Sequence, residues 1–398
     1  MTVASRFSQI TRRLLLAGAA VTIVSLPAHT SAFAQETLKL GLVAAMSGQS
    51  AKSGEAIVRG LSIAIDEINA KGGVLGKKVE LVVRDDESNP AKGVVAAREL
   101  VQREKVAGLF GGLDTPVSMA IVPFANQSKV PFMGVWAAGT PITRNGAKEN
   151  YVFRVSAMDA LVDKALLAYA IKKYNAKKPG MILINNPWGE SNEKGLKAAL
   201  AESKMDYVGI EKFQDADVDV VPQLTRLKQA GADVLFMVAN VAPSAQVVKS
   251  LDRMGWNVPI VSHWGPAGGR FSELAGPSGA KVHFIQTYSF AGKLSPKGEQ
   301  VLAALKKKYP AIKTLADVTP AVGIANAYDA MHLMTIAIGK AGSTDGTKIR
   351  DALYAIDNYD GLIKTYKKPF TPSNHDALTS EDYLFSHFKE GQIIPLTN

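Results

Sequence analysis

The chain has no cysteine among its 398 residues. That excludes disulfide staples, thiol chemistry and the lipidated cysteine that tethers some exported proteins to a membrane. Signatures of catalysis are missing as well. No P-loop, HExxH or G-x-S-x-G pattern occurs, and Gly108 to Gly112 do not form a G-x-G-x-x-G fingerprint. His263, His283, His332, His375 and His387 are scattered, with no pair at helical metal spacing, so they read as solvated or core residues. Neither a metal nor a cofactor is expected. There is no basic stripe interleaved with aromatics, which argues against nucleic acid. Beyond the first residues no apolar run reaches the about 18 residues of a membrane-spanning helix, and no low-complexity linker divides the chain.

What is present begins with an export signal over residues 1–34. Arg6, Arg12 and Arg13 make it basic, Leu14 to Leu26 is apolar and uncharged, and Ala32-Phe33-Ala34 suits cleavage near Ala34. Thr11-Arg12-Arg13-Leu14-Leu15-Leu16 partly matches a twin-arginine signal, so both that route and general secretion stay open. Losing the three arginines takes the formal net charge from +10 to +7. The remainder is spread along the chain, and steering of anionic ligands would be weak. The mature product is expected to be soluble outside the cytoplasm.

The rest is too long for one core and alternates strand and helix patterns. Leu38 to Asp86 reads as strand, loop, helix and strand. Ile57, Leu61, Ile65 and Ile68 give the helix one apolar stripe, Ser53 is placed to cap it, and Gly72–Gly73 to end it. Further units follow through Val135, and a second series runs from Asp159 to Tyr288. Helices at Ser295–Tyr309, Thr319–Ala341 and Gly346–Ile356 come next, then a terminal hairpin around Gly391. Without a linker, the backbone is expected to cross between two domains more than once. The loops at the carboxyl ends of parallel strands are where such sheets bind ligands. Trp136, Trp188 and Trp264 each fall in such a loop, two series contributing to one aromatic box. Asp85-Asp86-Glu87 is expected to be a solvated loop capping the next helix.

The segments KLGLVAAMSGQSAKSG, IAIDEINAKGGVLGKKVELVVRDDESNP, VAGLFGG, KVPFMG, AAGTP and DVLFMVA occur in the order found in one family. The chain resembles the periplasmic substrate-binding proteins of ATP-driven (ABC) transporters, in the branched-chain amino acid and amide group, type I periplasmic binding proteins. The resemblance implies an α/β fold of two doubly wound, Rossmann-like lobes with three hinge crossovers. Lobe one would take residues 35–156 and 287–380, and lobe two 157–286 and 381–398. It implies a monomeric, non-enzymatic periplasmic protein that passes a small molecule to permease subunits in the inner membrane.

By position, the implied contacts in lobe one are Ser47, Ser53, Asp114, Thr115, Trp136, Ala137, Ala138 and Gly139, with Thr140 if the loop shifts by one residue. There the family holds a ligand carboxylate with backbone groups and a hydroxyl, which Thr115 would supply. Lobe two would contribute Trp188, Asn240 and Trp264. Amino acid binders place a Glu at the position of Trp264, beside His263, and an indole cannot offset the desolvation of an ammonium. The expected ligand is therefore a small organic acid, an aromatic carboxylate stacked among the indoles, with Asn240 or His263 bonding a ring substituent. The alternatives are a branched-chain or other amino acid or amide on the same fold, an exported α/β enzyme, or a sensory domain, which would need a membrane helix to follow.

Overall fold

The computed structural model describes residues 36–396. The expected export signal and its cleavage near Ala34 lie outside the described residues, as do the last two residues.

The first sheet is built from β1 (Thr37–Ala44), β2 (Lys78–Asp85), β3 (Leu109–Gly111), β4 (Phe132–Gly134) and β5 (Val152–Arg154). All pairings are parallel and the order is β2-β1-β3-β4-β5. Between the strands run α1 (Ala51–Ala70), α2 (Pro90–Gln102), α3 (Thr115–Ser128) and the short α4 (Thr140–Thr143). Leu40, Leu42 and Val43 are fully buried, as a strand covered on both faces requires. Ile57, Leu61 and Ile68 are buried on α1 and Ile65 packs partly against the same core.

The second series comprises α5 (Asp159–Tyr174), β6 (Pro179–Ile184), α6 (Pro187–Glu202), β7 (Gly209–Phe213), α7 (Val221–Gln229), β8 (Val234–Val238), α8 (Val241–Arg253), β9 (Ile260–Ser262), α9 (Phe271–Ala275) and β10 (Val282–Gln286). Three helices follow: α10 (Pro296–Lys308), α11 (Ala321–Ala341) and α12 (Gly346–Tyr354). A hairpin of β11 (Asn358–Asp360) and β12 (Thr365–Lys367) precedes β13 (Leu384–Lys389) and β14 (Gln392–Pro395). The second sheet has the order β14-β13-β10-β9-β8-β6-β7; β13 pairs antiparallel with both β10 and β14, and the other pairings are parallel.

The backbone thus leaves the first sheet after β5, builds the second through β10, returns with α10 to α12, and ends in the second sheet. The return is fixed by helix packing. α11 lies on α1 so closely that a Cβ at Gly60 would fall 2.1 Å from the Ile324 carbonyl oxygen, so the crossing needs glycine there. α11 is long and apolar enough to cross a membrane, but 83% of the apolar window is buried. It is a core helix.

Two sequence expectations change in the opening unit. α1 starts at Ala51 behind a 3-10 turn, Gly48–Ser50, so Ser53 sits in the first turn rather than at the cap. The acidic trio does not cap α2. Asn89 does, accepting from the backbone N–H groups of Ala91 and Lys92. Asp86 is fully buried rather than solvated.

Candidate functional site

The loops after the parallel strands of both sheets face one another across a cleft of about 570 Å³. That volume falls within the usual range for small-molecule sites. The first sheet contributes Ser47, Ser50 and Ser53 after β1, Glu87 and Ser88 after β2, Asp114 after β3 and Trp136 after β4. The second contributes Asn186 after β6, Asp215 after β7, Asn240 after β8, and Gly265 and Gly268 after β9.

The two walls touch. Ser53 Oγ donates to the Gly268 carbonyl at 2.9 Å, and Asn240 Nδ2 donates to Asp114 Oδ1 at 3.2 Å. Asp114 and Asn240 are the N-cap residues of α3 and α8, yet neither side chain caps its own helix. Ser50, at the start of α1, does not cap either. Three helix starts therefore face the cleft without a side-chain cap, an arrangement that suits an anion. Asn186, by contrast, caps α6 through the N–H groups of Trp188 and Gly189.

The β2–α2 loop is held in a tight form. Glu87 and Ser88 both have positive φ, at 50° and 57°, which non-glycine residues seldom adopt. Asp85 Oδ1 accepts from the N–H groups of Met46 and Glu87, and Asp86 Oδ1 from that of Ser88. These bonds turn Glu87 toward the cleft. Burial pushes the Asp86 carboxyl up to about 7, with the Asp114 and Asp85 charges adding to it and the Ser88 N–H opposing it. An acid whose folded value is raised binds a proton more tightly folded than unfolded. Its effect is to lower stability as pH rises from about 4 to about 7. Asp86→Asn is therefore expected to stabilise the chain at pH 8 by about 1–3 kcal/mol and to change little at pH 4. Urea unfolding at the two pH values reads this out, and equal effects at both would contradict it.

A family model described as periplasmic binding protein matches residues 37–389. The chain belongs to that family. A Leu/Ile/Val-binding protein homolog of Brucella melitensis is 25% identical to this periplasmic binding protein over 90% of the chain and 93% of the relative. The branched-chain amino acid transporter substrate binding protein LivJ of Streptococcus pneumoniae, solved with isoleucine, superposes with a TM-score of 0.77. It is 25% identical, covering 91% of this chain and all of that one. An ABC transporter solute binding protein from R. palustris, solved with 4-hydroxybenzoate, has the same TM-score of 0.77 and 25% identity, covering 91% of this chain and 96% of that one. This periplasmic binding protein is the solute-binding component of an ABC importer, and it is not an enzyme.

Of the residues singled out in its sequence, Ser47, Ser53, Asp114, Trp136 and Asn240 line the cleft. The others form a layer behind it. Thr115, expected to offer a hydroxyl to a carboxylate, is buried and does not line the cleft; its Oγ1 accepts from the Gly139 N–H at 3.3 Å. The carboxylate of Asp114 faces the cleft instead. Ala137, Ala138 and Gly139 are held by Arg154 Nη1, which donates to the Ala137 and Gly139 carbonyls at 3.3 and 2.9 Å, and by Asp159, whose N–H donates to the Ala138 carbonyl. Thr140 ties the two series together: its N–H donates to Ser191 Oγ, and its Oγ1 accepts from the Ala160 N–H.

The aromatic box closes on itself. Trp136 and Trp264 ring centroids are 5.7 Å apart, His263 and Trp264 5.3 Å, and Trp188 and His263 5.1 Å. The indoles are thus brought together as expected, but only Trp136 lines the cleft. Both nitrogens of His263 are engaged. Nδ1 accepts from the Trp264 N–H at 2.8 Å, which leaves the proton on Nε2 to meet Asp159 Oδ1 at 3.0 Å. Trp188 Nε1 donates to the same carboxylate oxygen at 3.2 Å. With no exposure at all, His263 has nothing left for a ring substituent.

The sequence reading missed Gln49, Ser50, Glu87, Ser88, Asn186 and Asp215 on the lining. The signal was there. Each follows a parallel strand, and the rule that ligands meet those loops applies to all of them, not only to the loops that carry tryptophan. Among the described residues no group of acidic, histidine or cysteine side chains could hold a metal ion.

Proposed function

We propose that the solute carried in this cleft is a small aromatic acid. The observation that carries the reading is three helix starts, of α1, α3 and α8, that lack a side-chain cap around a cleft whose apolar lining includes Trp136. The backbone N–H groups offer a carboxylate its bonds without a cationic side chain. Stacking on the indole adds roughly 0.5–1.5 kcal/mol beyond buried area. The R. palustris protein solved with 4-hydroxybenzoate is in keeping with such a ligand. The lobes, residues 35–156 with 287–380 and 157–286 with 381–398, would open and close about the three backbone passages between them. The monomer would be exported with cleavage near Ala34, by the twin-arginine or the general route, and would hand its solute to inner-membrane permease subunits.

A second reading is a branched-chain or related amino acid. It is supported by the name of the Brucella relative, by the isoleucine bound in the S. pneumoniae protein and by Asp114, a carboxylate that can face an ammonium. Calorimetry and thermal shift with benzoate, 4-hydroxybenzoate, leucine and isoleucine separate the two. A ligand at 100 times its dissociation constant stabilises the fold by about 2.7 kcal/mol. Tight leucine binding with no response to either benzoate would sink the aromatic reading.

A further inference from the structure

Among the described residues no positive side chain lines the cleft. Its lining includes Glu87, Asp114 and Asp215 and no Lys, Arg or His. Asp114 is the one placed between the walls. Its Oδ1 takes the bond from Asn240, while Oδ2 is buried with no hydrogen-bond partner of normal geometry among the described residues. Burial raises this carboxyl above its usual range, against the opposing pull of Ser88 and Asn240. Asp215 is also raised, by desolvation first and by the Asp114 charge second. A buried acceptor oxygen without a donor is unfavourable until a donor arrives, and Asp114 could have met one by capping α3, which it does not do.

We propose that Asp114 is the specificity residue of the cleft, and that its Oδ2 selects solutes which present an O–H or N–H donor at the end away from their carboxylate or beside it. A phenolic hydroxyl and an ammonium share that chemistry. A second carboxylate at this place would face Asp114 with Glu87 and Asp215 on the same lining and no cation to compensate. The acid group of the solute lies at the uncapped starts of α1 and α8, and the donor lies on Asp114 at the start of α3. This rests on the reading that the cleft is the ligand site, and it adds which half of the ligand is recognised by charge.

Matched pairs that differ by one donor group test it: benzoate against 4-hydroxybenzoate, and 4-methylpentanoate against leucine. Calorimetry is run on the full mature chain and on Asp114→Ala and Asp114→Asn, the second keeping the shape of the side chain should the first fold poorly. In one pair the donor-bearing member is expected to bind at least about tenfold tighter to the natural chain. That ratio should fall several-fold in Asp114→Asn and approach one in Asp114→Ala. If the preference appears only in the leucine pair and depends on Asp114, the aromatic reading falls and the Asp114 assignment stands. If aromatic acids bind but the hydroxyl gives no preference, or the preference survives both substitutions, the assignment falls and the aromatic reading stands. No binding in either pair at millimolar concentration overturns both.

Discussion

Arg154→Ala is expected to lower the free energy of unfolding by about 3–5 kcal/mol. Arg154 has no solvent exposure and its partner Asp376 has 6%. The guanidinium donates through Nε to Asp376 Oδ1 at 2.7 Å, through Nη1 to the Ala137 and Gly139 carbonyls, and through Nη2 to Thr143 Oγ1 at 3.0 Å. Thr143 Oγ1 in turn donates to Asp376 at 3.0 Å. Removing the cation leaves a buried carboxylate and two buried carbonyls short of donors, and each orphan keeps its desolvation cost. The loss is a large share of the about 5–15 kcal/mol that holds a typical domain. Urea unfolding measures it. The double variant Arg154→Leu with Asp376→Leu should lose less than the two single changes added together, because the charges are removed as a pair. A loss below about 1 kcal/mol in Arg154→Ala would show that the pair is not what fixes the loop after β4.

Trp136→Ala is expected to cost about 3–5 kcal/mol of stability and to weaken solute binding as well. The indole is 5% exposed and packs on Trp264. It also rests on α11, where a Cβ at Gly323 would come within 2.9 Å of its ring. It belongs both to the core of lobe one and to the cleft wall, so truncation opens a cavity under the site. Trp264→Ala is the comparison. It removes a buried ring of the same size that does not line the cleft, so stability should fall by a similar amount while affinity falls less. Chemical unfolding and calorimetry on the two variants give both quantities. Lost binding in Trp264→Ala with full binding in Trp136→Ala would place the solute deeper, within the indole layer.

Much of the fold could be read from apolar runs and their punctuation. The helix Asp159–Tyr174 has the predicted ends, and Gly72 and Gly73, with φ of 98° and 77°, follow the end of α1. The elements that escaped notice are short and are fixed from far away in the chain. β5 is three residues long, too few for any period to show. The β11–β12 hairpin hangs on Asp329 of α11, which accepts from the backbone N–H groups of Leu362 and Ile363 and from the Tyr366 hydroxyl. No local pattern announces such an anchor.

The site divided in the same way. Which loops face the cleft followed from their position after parallel strands, while Ser47, Ser53, Asp114 and Asn240 came from the resemblance to the family and Trp136 from both. Which side chains turn outward did not follow. The hydroxyl of Thr115 and the ring of His263 have the chemistry a ligand wants, but Thr115 is buried off the cleft and both nitrogens of His263 are engaged inside the protein. Asp114 and Thr115 are adjacent in sequence, yet at the start of α3 only Asp114 lines the cleft, where it meets Asn240 across the gap, and that difference becomes visible only in three dimensions.

The last hairpin occupies an edge of the second sheet, with β13 beside β10. The second sheet therefore cannot be completed from one contiguous stretch, because its flank joins it only after the backbone has gone back through α10 to α12.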